Sequence, residues 1–71
     1  MASPRQSLDF LIQQLNNTHN GASVRVGAAE GLGHLGGPDA REVLISAANN
    51  LHNAGEIRAA ALRALGMACQ R

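Results

Sequence analysis

A shift of 33 positions lays one half of this chain on the other: Arg25 falls on Arg58, Leu11-Ile12 on Leu44-Ile45, Ala28 on Ala61 and Leu32-Gly33 on Leu65-Gly66. The polar cluster Asn16-Asn17-Thr18-His19-Asn20 meets Asn49-Asn50-Leu51-His52-Asn53, and the conservative pairs Val24/Ile57 and Asp9/Glu42 keep the same register. One matching motif arises easily by chance, but matches spread over both halves of a unit do not. A chain of 71 residues holds two such units. Each unit is a supersecondary element whose apolar face needs a neighbour to cover it.

Apolar residues recur every three or four positions and β-branched residues are few, so the unit is helical rather than stranded. Ser3 is placed to cap a first helix, with Pro4 at its first position and Gln6 completing a capping box. Leu8, Leu11, Ile12 and Leu15 share one stripe of that helix, and the Asn16 to Gly21 cluster ends it. A second helix from about Ala22 to Leu35 aligns Val24, Ala28, Leu32 and Leu35, and Gly36-Gly37 stops it. Pro38 opens a third helix carrying Leu44, Ile45, Ala48 and Leu51. Asn53-Ala54-Gly55-Glu56 has the spacing to cap a fourth, whose stripe is Ile57, Ala61, Leu65 and Ala68. Glycine inside a helix costs roughly 1 kcal/mol relative to alanine. Gly27, Gly31 and Gly33 in one helix therefore point to close packing, as do their small counterparts Ala60, Ala64 and Gly66.

The core of such a stack is thin. Phe10 is the only aromatic residue among Phe, Trp and Tyr, much of the apolar content is alanine, and Cys69 has no partner for a disulfide. Six arginines against five carboxylates, with no lysine, give a formal net charge of +1 with no charge block. That balance, with a single Phe, offers neither the basic field nor the stacking platform of a nucleic-acid binder. The first ten residues lack the basic start and apolar run of a secretion signal, and no stretch approaches a membrane span. The expected setting is the cytoplasm, where an unpaired thiol stays reduced.

Val24-Arg25-Val26-Gly27-Ala28-Ala29-Glu30-Gly31-Leu32-Gly33 and Ile57-Arg58-Ala59-Ala60-Ala61-Leu62-Arg63-Ala64-Leu65-Gly66 resemble the second helix of HEAT repeats. The aliphatic-Arg pair, the Ala run and the Leu-Gly ending are similar to the short subtype named after the phycocyanobilin lyases (the PBS lyase type). The resemblance implies an all-α fold, an alpha-alpha superhelix or HEAT-like solenoid of two tandem helical hairpins and four helices. It forms a single domain over 1–71, with repeat one at 3–35 and repeat two at 36–71. It also implies that Arg25 and Arg58, with Asn20 and Asn53, hold the turns between helices rather than grip an anionic ligand. Members of the family usually carry an Asp-rich turn before the aliphatic-Arg pair. Here Asn17, Asn20, Asn50 and Asn53 stand in that region, able to cap a helix but supplying no formal charge to the arginines.

Other candidate sites read as structural. His19 and His52 are repeat counterparts, and helices 8 to 10 Å apart do not bring two imidazoles to the roughly 2 Å a shared zinc needs. With His34 and Cys69 they form no ligand-spaced pair, so solvated histidines and no metal are expected. Cys69 has neither a neighbouring base nor an oxyanion turn and is expected to be inert and partly buried. Gly31-Leu32-Gly33-His34-Leu35-Gly36 spells GxGxxG but ends a helix instead of following a strand. No catalytic residue and no cofactor are expected. What remains is apolar surface: a second stripe on the fourth helix, Ala59, Leu62, Gly66 and Cys69, and Phe10 off the stripe of the first. These residues are the expected interaction surface for a protein partner, with a homo-oligomer, a dimer first, as the expected assembly. The alternatives are a lyase-like protein that attaches or detaches a tetrapyrrole on a phycobiliprotein, which the resemblance alone implies, and a piece of a longer HEAT scaffold.

Overall fold

The computed structural model describes residues 2–70; Met1 and Arg71, the ends of the expected domain, lie outside them. Four helices follow in order: α1 (Pro4–Asn16), α2 (Ala22–Leu35), α3 (Pro38–Asn49) and α4 (Gly55–Ala68). Among the described residues there is no strand, and no helix is long and apolar enough to cross a membrane. The first helix starts as its sequence dictates. The Ser3 hydroxyl accepts from the Gln6 N–H at 3.1 Å, and the Gln6 Oε1 accepts from the Ser3 N–H at 2.8 Å, so two otherwise unpaired donors are satisfied reciprocally. At the end of α2 the chain reverses through Gly36 (φ 73°) and Gly37 (φ 89°), left-handed conformations that glycine adopts without penalty. Pro38 then begins α3.

The helices form two antiparallel hairpins, α1–α2 and α3–α4, and the most extensive packing of the molecule joins α2 to α4. Contact between α1 and α3 is slight. Leu15, Leu32 and Leu44 are the largest fully buried side chains, and alanine fills most of the remaining core. Small residues let backbones approach. A Cβ built on Gly33 would lie 2.9 Å from the Cα, Cβ and O of Ala64, closer than real carbon atoms come. At the other end of the pair, Arg25 near the start of α2 reaches Asn53 just before α4. The two helices therefore run parallel.

The buried faces depart from the expected stripes at named positions. Val24 and Leu35 of α2 and Ile45 of α3 are exposed, while Arg25, Ala29 and Gly33 of α2 and Ala40 and Ala47 of α3 are buried. The cause is that α2 packs on both α1 and α4. Its covered arc is turned toward positions 25, 29 and 33, away from 24 and 35. Leu51 is exposed because α3 ends at Asn49 and leaves it in the turn. The fourth helix is not capped by Asn53: its N-cap is Ala54, which has no side-chain acceptor.

The counterparts Gly33 and Gly66 differ in surroundings, since a Cβ on Gly66 would meet nothing within 4 Å. Gly33→Ala is expected to lower stability by about 1–3 kcal/mol through overpacking. Gly66→Ala is expected to raise it by up to about 1 kcal/mol through helix propensity. Urea unfolding midpoints in dilute solution measure both, and equal shifts of the same sign would contradict the α2–α4 approach.

Candidate functional site

Each helix leaves its last four carbonyls without an intrahelical partner, and in both hairpins side chains from the following turn and helix take two of them. The Arg25 Nε–H donates to the Leu15 carbonyl at 2.7 Å, and the Arg58 Nε–H donates to the Ala48 carbonyl at 2.8 Å. The Asn20 Nδ2 donates to the Gln14 carbonyl at 3.0 Å, and the Asn53 Nδ2 to the Ala47 carbonyl at 2.9 Å. Within the turns, Asn17 Oδ1 accepts from the His19 N–H and Asn50 Oδ1 from the His52 N–H, both at 3.0 Å. Asn20 and Asn53 thus tie their turns back to the preceding helix, Asn17 and Asn50 brace the turns from within, and none of the four caps the next helix. No basic residue lies in the last turn of α1 or α3, so Arg25 and Arg58 also bring positive charge to the negative ends of those helix dipoles.

One bond crosses from hairpin to hairpin inside this framework. The Arg25 Nη2 donates to Asn53 Oδ1 at 2.8 Å. Asn53 therefore both donates and accepts, which a carboxylate cannot do. An asparagine amide is the chemistry this two-way contact needs. Arg25 is only 8% exposed, and its charge is held by these two acceptors.

Residues 3–70 match the family model of HEAT repeats. The chain belongs to the HEAT repeat family. No curated protein and no solved structure matches it.

In this HEAT pair the two hairpins have equivalent internal surroundings, so a difference in exposure between counterparts reports what the other hairpin covers. Val24 is 48% exposed and Ile57 3%; Leu35 is 38% exposed and Ala68 0%; Leu62 is 58% exposed and Ala29 0%. Phe10 is exposed, whereas its counterpart Val43 packs against the core and lines a surface groove with Arg5 and Ile12 of α1. Val43 thus faces hairpin one, and Phe10 faces away from hairpin two. By the same logic Leu62 faces away from hairpin one. The expected interaction residues therefore divide between two opposite edges. Phe10 lies on one, and Leu62, Gly66 and Cys69, all exposed, lie on the other, while Ala59, half-buried like its counterpart Val26, is not assigned to either.

Cys69 is free and exposed rather than partly buried, because α4 ends there on the uncovered edge. His19, His34 and His52 are exposed, and among the described residues no group of three or more His, Cys, Asp or Glu comes together to hold a metal. Sequence reasoning missed the Arg25–Asn53 bond. Its signal was present in the two Arg-Asn pairs, which an offset of one repeat brings into register.

Arg25→Met removes two charged hydrogen bonds and leaves the Leu15 carbonyl buried and unpaired. It is expected to cost about 2–4 kcal/mol, against about 1–2 kcal/mol for Arg58→Met. Chemical denaturation compares them, and an equal cost at both positions would contradict a structural bond between the hairpins.

Proposed function

We propose that this chain is a protein-interaction module of two HEAT repeats, repeat one over 3–35 and repeat two over 36–71, whose binding surfaces are the two edges of the stack. The observation that carries this reading is the asymmetry between counterparts: the outer edges expose apolar residues at positions that the other hairpin covers within the molecule. Each exposed leucine or isoleucine that becomes fully buried contributes about 1.5–3 kcal/mol, so covering these edges is favourable. Self-association is the first expectation, with a dimer as the first species. The Arg25, Arg58, Asn20 and Asn53 framework has a holding role in this reading, and Phe10, Ala59, Leu62, Gly66 and Cys69 supply contact surface. The free thiol of Cys69 suits the reducing cytoplasm.

The reading is of a binder rather than an enzyme. The groove lined by Arg5, Ile12, Asp39, Glu42, Val43 and Ser46 has a volume of about 380 Å³ and does not include Cys69 in its lining, so no observation favours attachment of a tetrapyrrole. Sedimentation velocity across micromolar to millimolar concentration tests the proposal. The sedimentation coefficient is expected to rise with concentration for the natural chain, and Leu62→Arg is expected to weaken association by at least about tenfold. A natural chain that stays monomeric throughout that range would overturn the self-association reading.

A further inference from the structure

The contact between the two hairpins inside the molecule supplies a template for a contact between the two outer edges, an extension that rests on the self-association reading. Along α2 and α4 the internal contact includes Arg25 Nη2 on Asn53 Oδ1 and Gly33 against Ala64. One turn before the second pair stand Ala29 and Ala60, both with 0% exposure, which helical periodicity sets opposite each other. A shift of one repeat turns the first members into Arg58, Leu62 and Gly66, and the second members into Asn20, Gly27 and Gly31. We infer that a second copy of this chain docks its α2 edge on the α4 edge of the first, head to tail, pairing Arg58 with Asn20, Leu62 with Gly27, and Gly66 with Gly31.

Three independent observations support this pairing. Arg58 and Asn20 use Nε and Nδ2 to hold their own turns, as Arg25 and Asn53 do. Among the described residues, however, the Arg58 Nη groups donate no hydrogen bond and Asn20 Oδ1 accepts none. A donor is thus left on one edge and an acceptor on the other, at the positions where the internal pair is joined. In volume, Leu62 is larger than Ala29, and Gly27 is smaller than Ala60, with nothing within 4 Å of where its Cβ would stand. The bulky residue therefore meets the bare one. The third observation lies on the other layer. Val43 and Ile12 line one groove, and the shift sets Phe10 of the second copy and Ile45 of the first in the corresponding places, two apolar side chains that are both exposed in the single chain. The Arg5–Asp39 ion pair, 2.9 Å long, has no counterpart, because Pro38 and Gln6 take those places. Both of its side chains are more than half exposed, so its loss matters little.

Because two different surfaces meet, the contact does not close at two chains, and assembly continues past the dimer. The test uses full-length chains blocked at one edge each: Leu62→Arg on the α4 edge and Gly27→Arg on the α2 edge. Both positions are exposed, and circular dichroism verifies that each variant keeps its helices; Gly66→Arg and Phe10→Asp serve as second variants of the same two edges. Sedimentation of each variant alone is expected to show a monomer, with association weakened at least about tenfold. An equimolar mixture is expected to form a 1:1 dimer and stop there, since one intact edge of each kind remains. If the natural chain associates but Gly27→Arg still self-associates as well as it does, the head-to-tail pairing is overturned while the self-association reading stands. If the mixture gives no dimer, the pairing is likewise overturned. A natural chain that never associates overturns both.

Discussion

Everything in this molecule hangs on how closely α2 approaches α4. With one Phe, no Trp or Tyr, and Leu8, Leu15, Leu32, Leu44 and Ile57 as the large buried side chains among alanines, the chain has little bulk with which to fill space between helices. It stabilises the stack by removing the space instead. Gly33 lets the backbone of Ala64 come to where a side chain would otherwise stand, and short separations restore the dispersion contacts that large side chains would supply elsewhere. The same economy explains why the edges matter. A thin stack gains a large part of its burial from its neighbour, so an uncovered edge leaves a large fraction of the possible burial unused.

Arg25 sets the register of that approach. Arg25 ties the end of α1 to the start of α4, through the Leu15 carbonyl and the Asn53 side chain. A guanidinium has enough donors for both tasks in one plane, and an amide has the donor and acceptor needed to join a turn to a neighbouring hairpin. The neutral partner also avoids placing two formal charges in a half-buried site, where desolvation offsets much of the attraction between them.

The repeat made the fold legible from the residues: the capping box at Ser3, the Gly36-Gly37 stop and the four helix positions all follow from local chemistry. What was not legible is which side of each helix is covered. A hydrophobic stripe assumes one neighbour per helix, and α2 has two of consequence. This misplaced Val24 and Leu35, which are apolar yet exposed, and overlooked Arg25, which is charged yet buried. Ala29 and Gly33 carry too little hydropathy to mark a face, although they form the tightest one. The edge residues were partly readable, since Leu62 and Phe10 lie off the main stripes. Their division between opposite ends emerged only when each was compared with its counterpart 33 positions away.

The most direct test of the uncovered edges uses Phe10, whose ring signals stand apart because no other Phe, Trp or Tyr is present. Nuclear magnetic resonance spectra recorded through a dilution series follow that ring together with the methyl groups of Leu62 and Leu15. Edges that become covered on assembly move the Phe10 and Leu62 resonances together as concentration rises, while Leu15, already fully buried in the single chain, stays in place. Association without movement at Phe10 and Leu62, or movement at Leu15 alone, would contradict an assembly built through the edges.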